Sequence, residues 1–205
     1  MKATTSIVGC LLLLILNQAR ADDFQKIRQD DARGDYVAEA ADLRPLAMDG
    51  NARAQTLLGM LYDMGTGVPQ SYPKALALYK KASAQGSPVA ERYLGIMYEF
   101  GHGVPRDMRQ ALRWEVKASK QNDPLALNQL GSMYANGNGV RTNRAFAFAL
   151  YVYSVSADKD PKDGNPANRN GARLTKTMTP AEVMAGKAFI QRIHVEGLDS
   201  VLPSQ

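Results

Sequence analysis

Cysteine is almost absent from this sequence: Cys10 is the only one among 205 residues. Because Cys10 lies in an N-terminal segment that we expect to be removed, the mature chain would contain no thiol. That excludes disulfides, a catalytic thiolate and thiolate metal sites. The two histidines, His102 and His194, belong to no H-x-x-x-H motif or carboxylate cluster. We therefore expect no zinc or other metal site and no cofactor.

Long apolar runs are also missing, except at the N-terminus. Lys2 precedes an apolar stretch over residues 7–16, and Ala19-Arg20-Ala21 follows it. This order is typical of a secretory signal peptide, residues 1–21, with cleavage after Ala21 and a periplasmic destination. The stretch is too short for a membrane span, which needs about 20 apolar residues. Lipidation of Cys10 is an alternative, but in lipoprotein precursors the cysteine closes the apolar run, whereas here leucines follow it.

The charge of the chain gives little support for a nucleic-acid partner. The formal net charge is +5 for the whole sequence and falls to +3 when Lys2 and Arg20 leave with the signal peptide. The high isoelectric point is thus partly a property of the precursor. Residues 22–205 suit one domain with an adequate core, and they contain no further apolar run long enough to span a membrane.

The chain repeats itself at a shift of 36 residues, in copies at about 52–86, 88–122 and 124–158. Within a copy, apolar residues recur at steps of three and four, which indicates a helix. Repeats of this length that form helix pairs must stack to bury their apolar faces. In the first copy, the positions that are identical in all three are Ala54, Leu58, Gly59, Tyr62, Gly65, Gly67, Val68 and Ala75.

Each copy is predicted to be a helix, a glycine elbow and a second helix. Gly65 and Gly67 end the first helix, because glycine adopts a positive φ without steric cost. The second helix begins at a register position occupied by Ser71, Asp107 and Asn143, all good N-caps. Gly59 lies inside the first helix, which suggests close contact with another helix. The sequence thus predicts an all-α, right-handed α-solenoid of stacked helix-turn-helix units.

The ends of the array differ from its centre. Residues 35–50 match only the second half of a unit, and residues 22–33 form either a short helix or a disordered lead. Residues 158–171 should be a loop, with at most a broken helix after Pro166. Thr179, Pro180 and Glu182 then start a capping helix, within a C-terminal cap over 166–196. We expect the last residues, from 194 onward, to be frayed.

The unit resembles the Sel-one-like repeat (SLR), a relative of the tetratricopeptide repeat. The resemblance covers about residues 35–193 and implies a solenoid fold. It also implies an adaptor role, since members mostly bind another protein on a concave face. Secreted bacterial members include envelope regulators, assembly factors and immunity proteins. The motifs that carry it are Leu58-Gly59, Tyr62, Gly65-x-Gly67-Val68-Pro69, Ala75, Tyr79, Lys81-Ala82 and Gly86, and their counterparts one and two repeats later.

Two motifs suggest chemistry but lack the residues that would complete them. Gly65-x-Gly67 has neither the third glycine of a dinucleotide fingerprint nor the Gly-Lys-Ser/Thr of a P-loop, and it follows a helix instead of a strand. Ser71 and Lys74 form an S-x-x-K motif, but S-D-N and K-T-G are absent. We therefore predict that the protein is not an enzyme.

A better functional signal is the stripe that varies between copies on the side of the first helix opposite the invariant residues. Resemblance to tetratricopeptide-like solenoids implies that first helices line the concave surface, and a mixed apolar and charged stripe suits a protein partner. The predicted partner-binding residues are Arg53, Thr56, Met60, Asp63, Val89, Arg92, Ile96, Glu99, Leu125, Asn128, Ser132 and Ala135.

The function predicted from the sequence is a periplasmic adaptor, monomeric, that binds another protein through this stripe. One alternative is an immunity protein that neutralises a periplasm-acting toxin such as a phospholipase. A hydrolase is a second and weaker alternative, because no nucleophile–base pair is visible. The partner is expected to be a protein, with no nucleic acid and no membrane span.

Overall fold

The computed structural model describes residues 24–158 and 164–202, and in this part of the chain all regular structure is helical. The predicted signal peptide, residues 1–21, lies outside the described residues. The fold class is an α-solenoid of helical repeats, as predicted. The helices are α1 (24–33), α2 (Tyr36–Met48), α3 (Ala52–Met64), α4 (Tyr72–Ala84), α5 (Pro88–Phe100), α6 (Met108–Ser119), α7 (Pro124–Asn136), α8 (Arg144–Ala157), α9 (Pro166–Thr175) and α10 (Pro180–Glu196).

Local sequence explains where the repeat helices start. The first helices α3, α5 and α7 follow Asn51, Ser87 and Asp123, whose side chains accept a hydrogen bond from the backbone N–H three residues later. The second helices α6 and α8 begin after Asp107 and Asn143, which cap them in the same way. Each cap satisfies an N–H group that has no partner within the helix.

The first glycine of each elbow ends its helix, as predicted. Gly65, Gly101 and Gly137 follow α3, α5 and α7 in the left-handed conformation, with φ of 70°, 77° and 78°. The second elbow glycine also has a positive φ, and at Gly139 it has the further role of allowing close approach. A Cβ atom on Gly139 would overlap the backbone carbonyl of Met108, the first residue of α6. The elbow therefore lies directly on the start of the second helix of the preceding repeat.

Contacts divide the chain into two compact units, Met1–Leu78 and Tyr79–Gln205, with the boundary inside α4. In the first unit, α2 packs on α3 and lies within residues 35–50, which the sequence predicts to be the second half of a repeat unit. A helix over 24–33 precedes it, which decides between the two predictions for that segment in favour of a helix. The core of this unit includes Ile27, Leu43, Ala54, Leu58, Leu61 and Val68.

In the second unit, packing runs from each helix to the next. The pairs α5–α6, α6–α7, α7–α8 and α8–α9 are in contact, and α10 packs on α8. Tyr134 and Phe146 meet edge to face, with ring centroids 4.8 Å apart. The core of this unit includes Val116, Leu127, Leu130, Tyr134, Phe146, Leu150 and Ile193.

The C-terminal part is more ordered than predicted. Thr179 and Glu182 form the expected capping box at the start of α10. Residues Pro166–Thr175 form an intact helix, α9, where the sequence suggested a loop or a broken helix. Residues 194–202 are not frayed as expected, because Leu198 and Leu202 are buried in the same core as Ile193, while residues 203–205 lie outside the described residues. A short 3-10 turn, Leu198–Ser200, brings these two leucines to that core.

Candidate functional site

In the second and third repeats, one register position of the second helix faces the glycine inside the first helix. It holds Tyr79, Glu115 and Tyr151, which are buried in all three repeats. A Cβ atom on Gly131 would lie 2.8 Å from Cε1 of Tyr151, and one on Gly95 would lie 2.6 Å from Oε1 of Glu115. The glycine therefore makes room for a large side chain from the second helix. The second repeat alone places a carboxylic acid there.

A groove that we call the acidic groove opens beside Glu115. Its volume is about 410 Å³, and it lies among α5, α6 and α7. The carboxylate of Glu99 is held at its wall by Gln129, whose Nε2 donates to Oε2 of Glu99 (2.8 Å). The lining residues are Arg92, Ile96, Glu99, Phe100, Glu115, Leu125, Asn128 and Gln129.

Glu115 is almost fully buried, with 1% of its surface exposed, and lacks a direct partner. Among the described residues, neither of its carboxyl oxygens has a hydrogen bond. Glu91, which is equally buried, is different: Nζ of Lys117 lies 2.9 Å from its Oε1, and Nε2 of Gln121 donates to its Oε2 (2.7 Å). Buried polar groups normally find a partner, so the state of Glu115 calls for an explanation.

Burial raises the pKa of Glu115 well above its usual value of 4.5. The charge of Arg92 lowers this pKa, while Asp123 and Glu99 raise it further. Desolvation disfavours the charged carboxylate, and the two acidic neighbours add to that effect. In the structure as it stands, the carboxyl of Glu115 therefore tends to keep its proton.

Arg92 lies in the groove but is directed to other groups. Its Nε is 3.5 Å from Oδ1 of Asp123, and its guanidinium lies 5.0 Å from the centroid of the Tyr93 ring. Asp123 offsets part of the charge of Arg92, and the remainder still lowers the pKa of Glu115. The acidic groups at the groove are Glu99 and Glu115. The groove therefore has acidic character.

A second groove, which we call the basic groove, lies among α7, α8 and α9 and has a volume of about 540 Å³. The hydroxyls of Tyr151 and Ser132 are 3.1 Å apart at its wall. Burial raises the pKa of Tyr151 above its usual value of 10.0. Arg173 and Lys176 supply its positive charge. The lining residues are Ser132, Ala135, Asn136, Tyr151, Asn170, Arg173, Leu174, Lys176 and Thr177.

The two grooves are neighbours. Asn128 lines the acidic groove and Asn170 lines the basic groove. Nδ2 of Asn170 donates to Oδ1 of Asn128 (2.8 Å), which joins α9 to α7 at the boundary between them. The second unit thus presents one face, here called the grooved face, with an acidic half and a basic half.

The structure brings most of the predicted stripe of the second and third repeats into these grooves. Arg92, Ile96, Glu99, Leu125 and Asn128 line the acidic groove, and Ser132 and Ala135 line the basic groove. Val89 is half-buried and lines neither of them.

The stripe residues of the first repeat belong to the other unit. Arg53 is exposed, with its guanidinium 4.8 Å from the centroid of the Phe24 ring. Met60 and Asp63 are half-buried. Thr56 is buried, and its hydroxyl donates to the carbonyl of Ala52 (2.8 Å), so it offers little surface to a partner.

Sequence reasoning missed the residues that the second helices and α9 contribute, namely Glu115, Tyr151, Asn170, Arg173 and Lys176. For Glu115 a signal was present, because a glutamate replaces tyrosine at a core register position. For α9 there was none, since it lies outside the repeats and no register comparison reaches it.

In the structure, Ser71 and Lys74 of the S-x-x-K motif make contacts that have no catalytic character. Lys74 lies 5.0 Å from the centroid of the Tyr62 ring. The backbone N–H of Ser71 donates to the carbonyl of Tyr62 (2.8 Å), at the start of α4. Within residues 24–158 and 164–202, no three or more His, Cys, Asp or Glu side chains are grouped to hold a metal ion. In the same part of the chain, none of the helices combines the length and the apolar character that a membrane crossing requires.

The repeats match a known family model. The Sel1 repeat model matches residues 52–87, 88–123 and 124–156, which is about half of the chain and agrees with the three predicted copies. The chain belongs to the Sel1 repeat family. Sel1 repeats generally mediate protein–protein interactions, and the family is a scaffold for binding rather than for catalysis.

Solved structures include relatives of this Sel1 repeat protein. It is similar to a Sel1 repeat protein from Oxalobacter formigenes, with 28% identity and a TM-score of 0.55, over 65% of this chain and 96% of that one. It shares its fold with a protective antigen of uropathogenic Escherichia coli that has an SLR fold, with 23% identity and a TM-score of 0.54. That match covers 82% of this chain and 44% of the antigen. A search among curated proteins found no significant match.

Proposed function

We propose that this Sel1 repeat protein is a periplasmic adaptor that binds a protein partner on the grooved face of its second unit. The observation that carries the proposal is the pair of neighbouring grooves of opposite charge. Seven predicted stripe residues line these grooves. An interface of this kind selects its partner by complementary charge more than by buried area alone.

Apolar groups at the acidic groove support protein binding in particular. Phe100 and Leu125 expose 62% and 43% of their surface beside the charged residues. Aromatic and aliphatic side chains within a polar rim are typical anchors of protein interfaces. Small-molecule sites are more enclosed and more apolar than these two grooves.

Site-specific photocrosslinking tests this proposal. A photoreactive residue is placed at Leu125 in the acidic groove, at Lys176 in the basic groove, or at the exposed Met184 on α10 as a control. In periplasmic fractions, we expect the same partner to crosslink from both groove positions and not from Met184. Crosslinking from Met184 alone, or absence of the protein from the periplasmic fraction, would contradict the proposal.

A charge variant gives a second readout of the same proposal. Arg173→Glu with Lys176→Glu should lower the crosslinking yield from Leu125 at least tenfold, because it reverses the charge of the basic groove. Lys187→Glu on α10, which is exposed and outside the grooves, is the control and should leave the yield unchanged. Equal loss in both variants would indicate an effect of net charge instead of a specific surface.

The identity of the partner distinguishes an adaptor from an immunity protein. An exported domain of an envelope protein as the partner supports the adaptor. A toxin that acts in the periplasm, such as a secreted phospholipase, as the partner would support the immunity protein instead. The hydrolase alternative requires hydrolysis by the purified protein that is lost in Ser71→Ala.

A further inference from the structure

Glu115 in the acidic groove is a buried acid whose position in the repeat is normally filled by tyrosine. In the third repeat, the ring of Tyr151 lies against Gly131 and its hydroxyl reaches Ser132. In the second repeat, the corresponding residues are Glu115, Gly95 and Ile96. The glutamate places a carboxyl group against Gly95 where the third repeat places a phenol ring, and the isoleucine side chain offers it no hydrogen bond. The result is an acid group that lines a groove and has no direct partner within residues 24–158 and 164–202.

The groove has the two parts that a long cationic side chain requires. Ile96, Phe100 and Leu125 form an apolar wall, along which the methylene stem of a lysine or arginine can pack. Glu99 and Glu115 supply carboxyl oxygens as acceptors. Lysine and arginine are donors only, so ionised carboxylates, which only accept, are their natural partners.

The cation already present in the groove does not take this place. Arg92 interacts with Asp123 and lies over the Tyr93 ring, and no ion pair or hydrogen bond joins it to Glu115 among the described residues. Lys117, two residues after Glu115 on α6, pairs with Glu91 and donates to Oγ of Ser83 (3.2 Å). Each of these cations is thus engaged elsewhere.

We propose that the acidic groove binds one lysine or arginine side chain of a protein partner, with Glu115 and Glu99 as its acceptors. This inference deepens the proposed function and rests on it in one respect, namely that the side chain belongs to a protein. The affinity of the groove for the cationic group is a property of this chain alone and can be measured without the partner.

Binding should release a proton. Desolvation, Asp123 and Glu99 favour the protonated carboxyl of Glu115, and Arg92 opposes them. A cation beside Glu115 stabilises the carboxylate, so the proton leaves to the solvent and the pKa of Glu115 falls. The net charge of the groove is unchanged, because the incoming cation takes the place of the proton on the Glu115 carboxyl. Binding should therefore become tighter as pH rises above the usual range of a glutamic acid.

NMR titration of the whole mature protein tests the proposal with small probes. n-Butylammonium represents lysine and n-propylguanidinium represents arginine, while n-butanol, n-butyrate and potassium chloride are the controls. We expect saturable shifts of the acidic-groove amides with at least one of the two cations, with dissociation constants roughly in the millimolar range. The carboxyl carbon signal of Glu115 should titrate at lower pH when the cation is present.

Three variants make the result specific. Glu115→Tyr introduces the residue found in the other repeats, removes the buried carboxyl and should abolish saturable binding. Glu115→Gln should weaken binding at least tenfold and remove its pH dependence. Glu196→Gln, which removes an exposed charge on α10, is the control and should bind as the original chain does. Retained helicity and dispersed amide signals verify that each variant is folded.

The remaining outcomes overturn the proposal. Equal shifts with n-butanol would indicate an apolar groove, and stronger shifts with n-butyrate would assign the groove to anions. Absence of saturable shifts with both cations, or unchanged binding in Glu115→Tyr, would exclude the proposed site. These results are distinct from failure of the adaptor function, which appears as the loss of groove-specific crosslinking while the cations still bind.

Discussion

The ring of Tyr151 lies so close to the backbone of Gly131 that an added Cβ atom would be 2.8 Å from Cε1 and 2.9 Å from Cδ1. Glycine inside a helix costs about 1 kcal/mol relative to alanine. Here the missing methyl group is what lets α8 approach α7. The helix glycine and the large residue opposite it are thus one packing unit, and the second repeat modifies that unit by placing Glu115 opposite Gly95.

Gly131→Ala should lower the free energy of unfolding by about 1–2 kcal/mol, although alanine favours helix. The ring of Tyr151 is buried and must move, and overpacking of this kind costs about 1–3 kcal/mol. Gly171→Ala is the matched control, since its Cβ would meet the same tyrosine at an ordinary 3.5 Å. Chemical denaturation should show Gly171→Ala to be neutral or stabilising. Equal effects of the two variants would contradict this account.

Gly139→Ala should be among the most damaging single changes, with a loss of about 3 kcal/mol. Gly139 has a φ of 73°, and its Cβ would overlap the carbonyl of Met108, which is backbone and part of a capped helix. Gly86→Ala separates the two causes, because Gly86 has a φ of 82° but open space around it. We expect that variant to lose only the strain of the left-handed conformation, about 1 kcal/mol. Thermal unfolding of both variants measures the difference, and similar losses would rule out the contact with Met108.

Leu198→Ala and Leu202→Ala should each destabilise the second unit by about 2 kcal/mol, because both side chains are buried in its core. Val195→Ala is the control, since that side chain is 77% exposed and should change stability by less than about 0.5 kcal/mol. Urea denaturation followed by circular dichroism gives the three values. If the leucine variants match Val195→Ala, the C-terminal segment is frayed in solution, as the sequence suggested.

The helix pairs and their boundaries could be predicted because the repeat presents the same local signals three times. Gly65 and its counterparts end helices, and Asp107 and Asn143 start them, through interactions within a few residues. The burial of Leu198 and Leu202 could not be predicted in the same way. Their burial depends on a 3-10 turn that brings a short segment back to the core, and so few residues carry no periodic pattern.

The candidate site could be predicted in part for a similar reason. Variation between copies on the first helices identified Arg92, Ile96 and Glu99, since positions that the repeat does not fix are available for binding. Glu115 was missed because its position belongs to the core, where size and packing usually decide the residue. Only the structure shows that this acid packs against Gly95 and also lines a groove.

Glu115 should also make the stability of the protein depend on pH. Below its usual pKa of 4.5 the carboxyl is protonated in both the folded and the unfolded chain, so it adds no penalty. Above that value the unfolded chain loses the proton first, because the folded state has the higher pKa. Stability therefore falls as pH rises from about 4.5 towards the folded pKa, by about 1.4 kcal/mol for each unit between the two values.

Glu115→Gln has no carboxyl at this position and so does not lose stability in this way. The free energy of unfolding of the variant minus that of the original chain should therefore increase between pH 4.5 and the folded pKa of Glu115, and stay constant above that pKa. Denaturation of both proteins at a series of pH values measures the difference, in which the titration of all other groups cancels to first order. Glu196→Gln is the control and should show no such trend, because this side chain is about half exposed and not buried like Glu115. A difference for Glu115→Gln that stays constant with pH would mean that Glu115 titrates normally in the folded chain. In that case it would have no proton to release when a cation enters the groove.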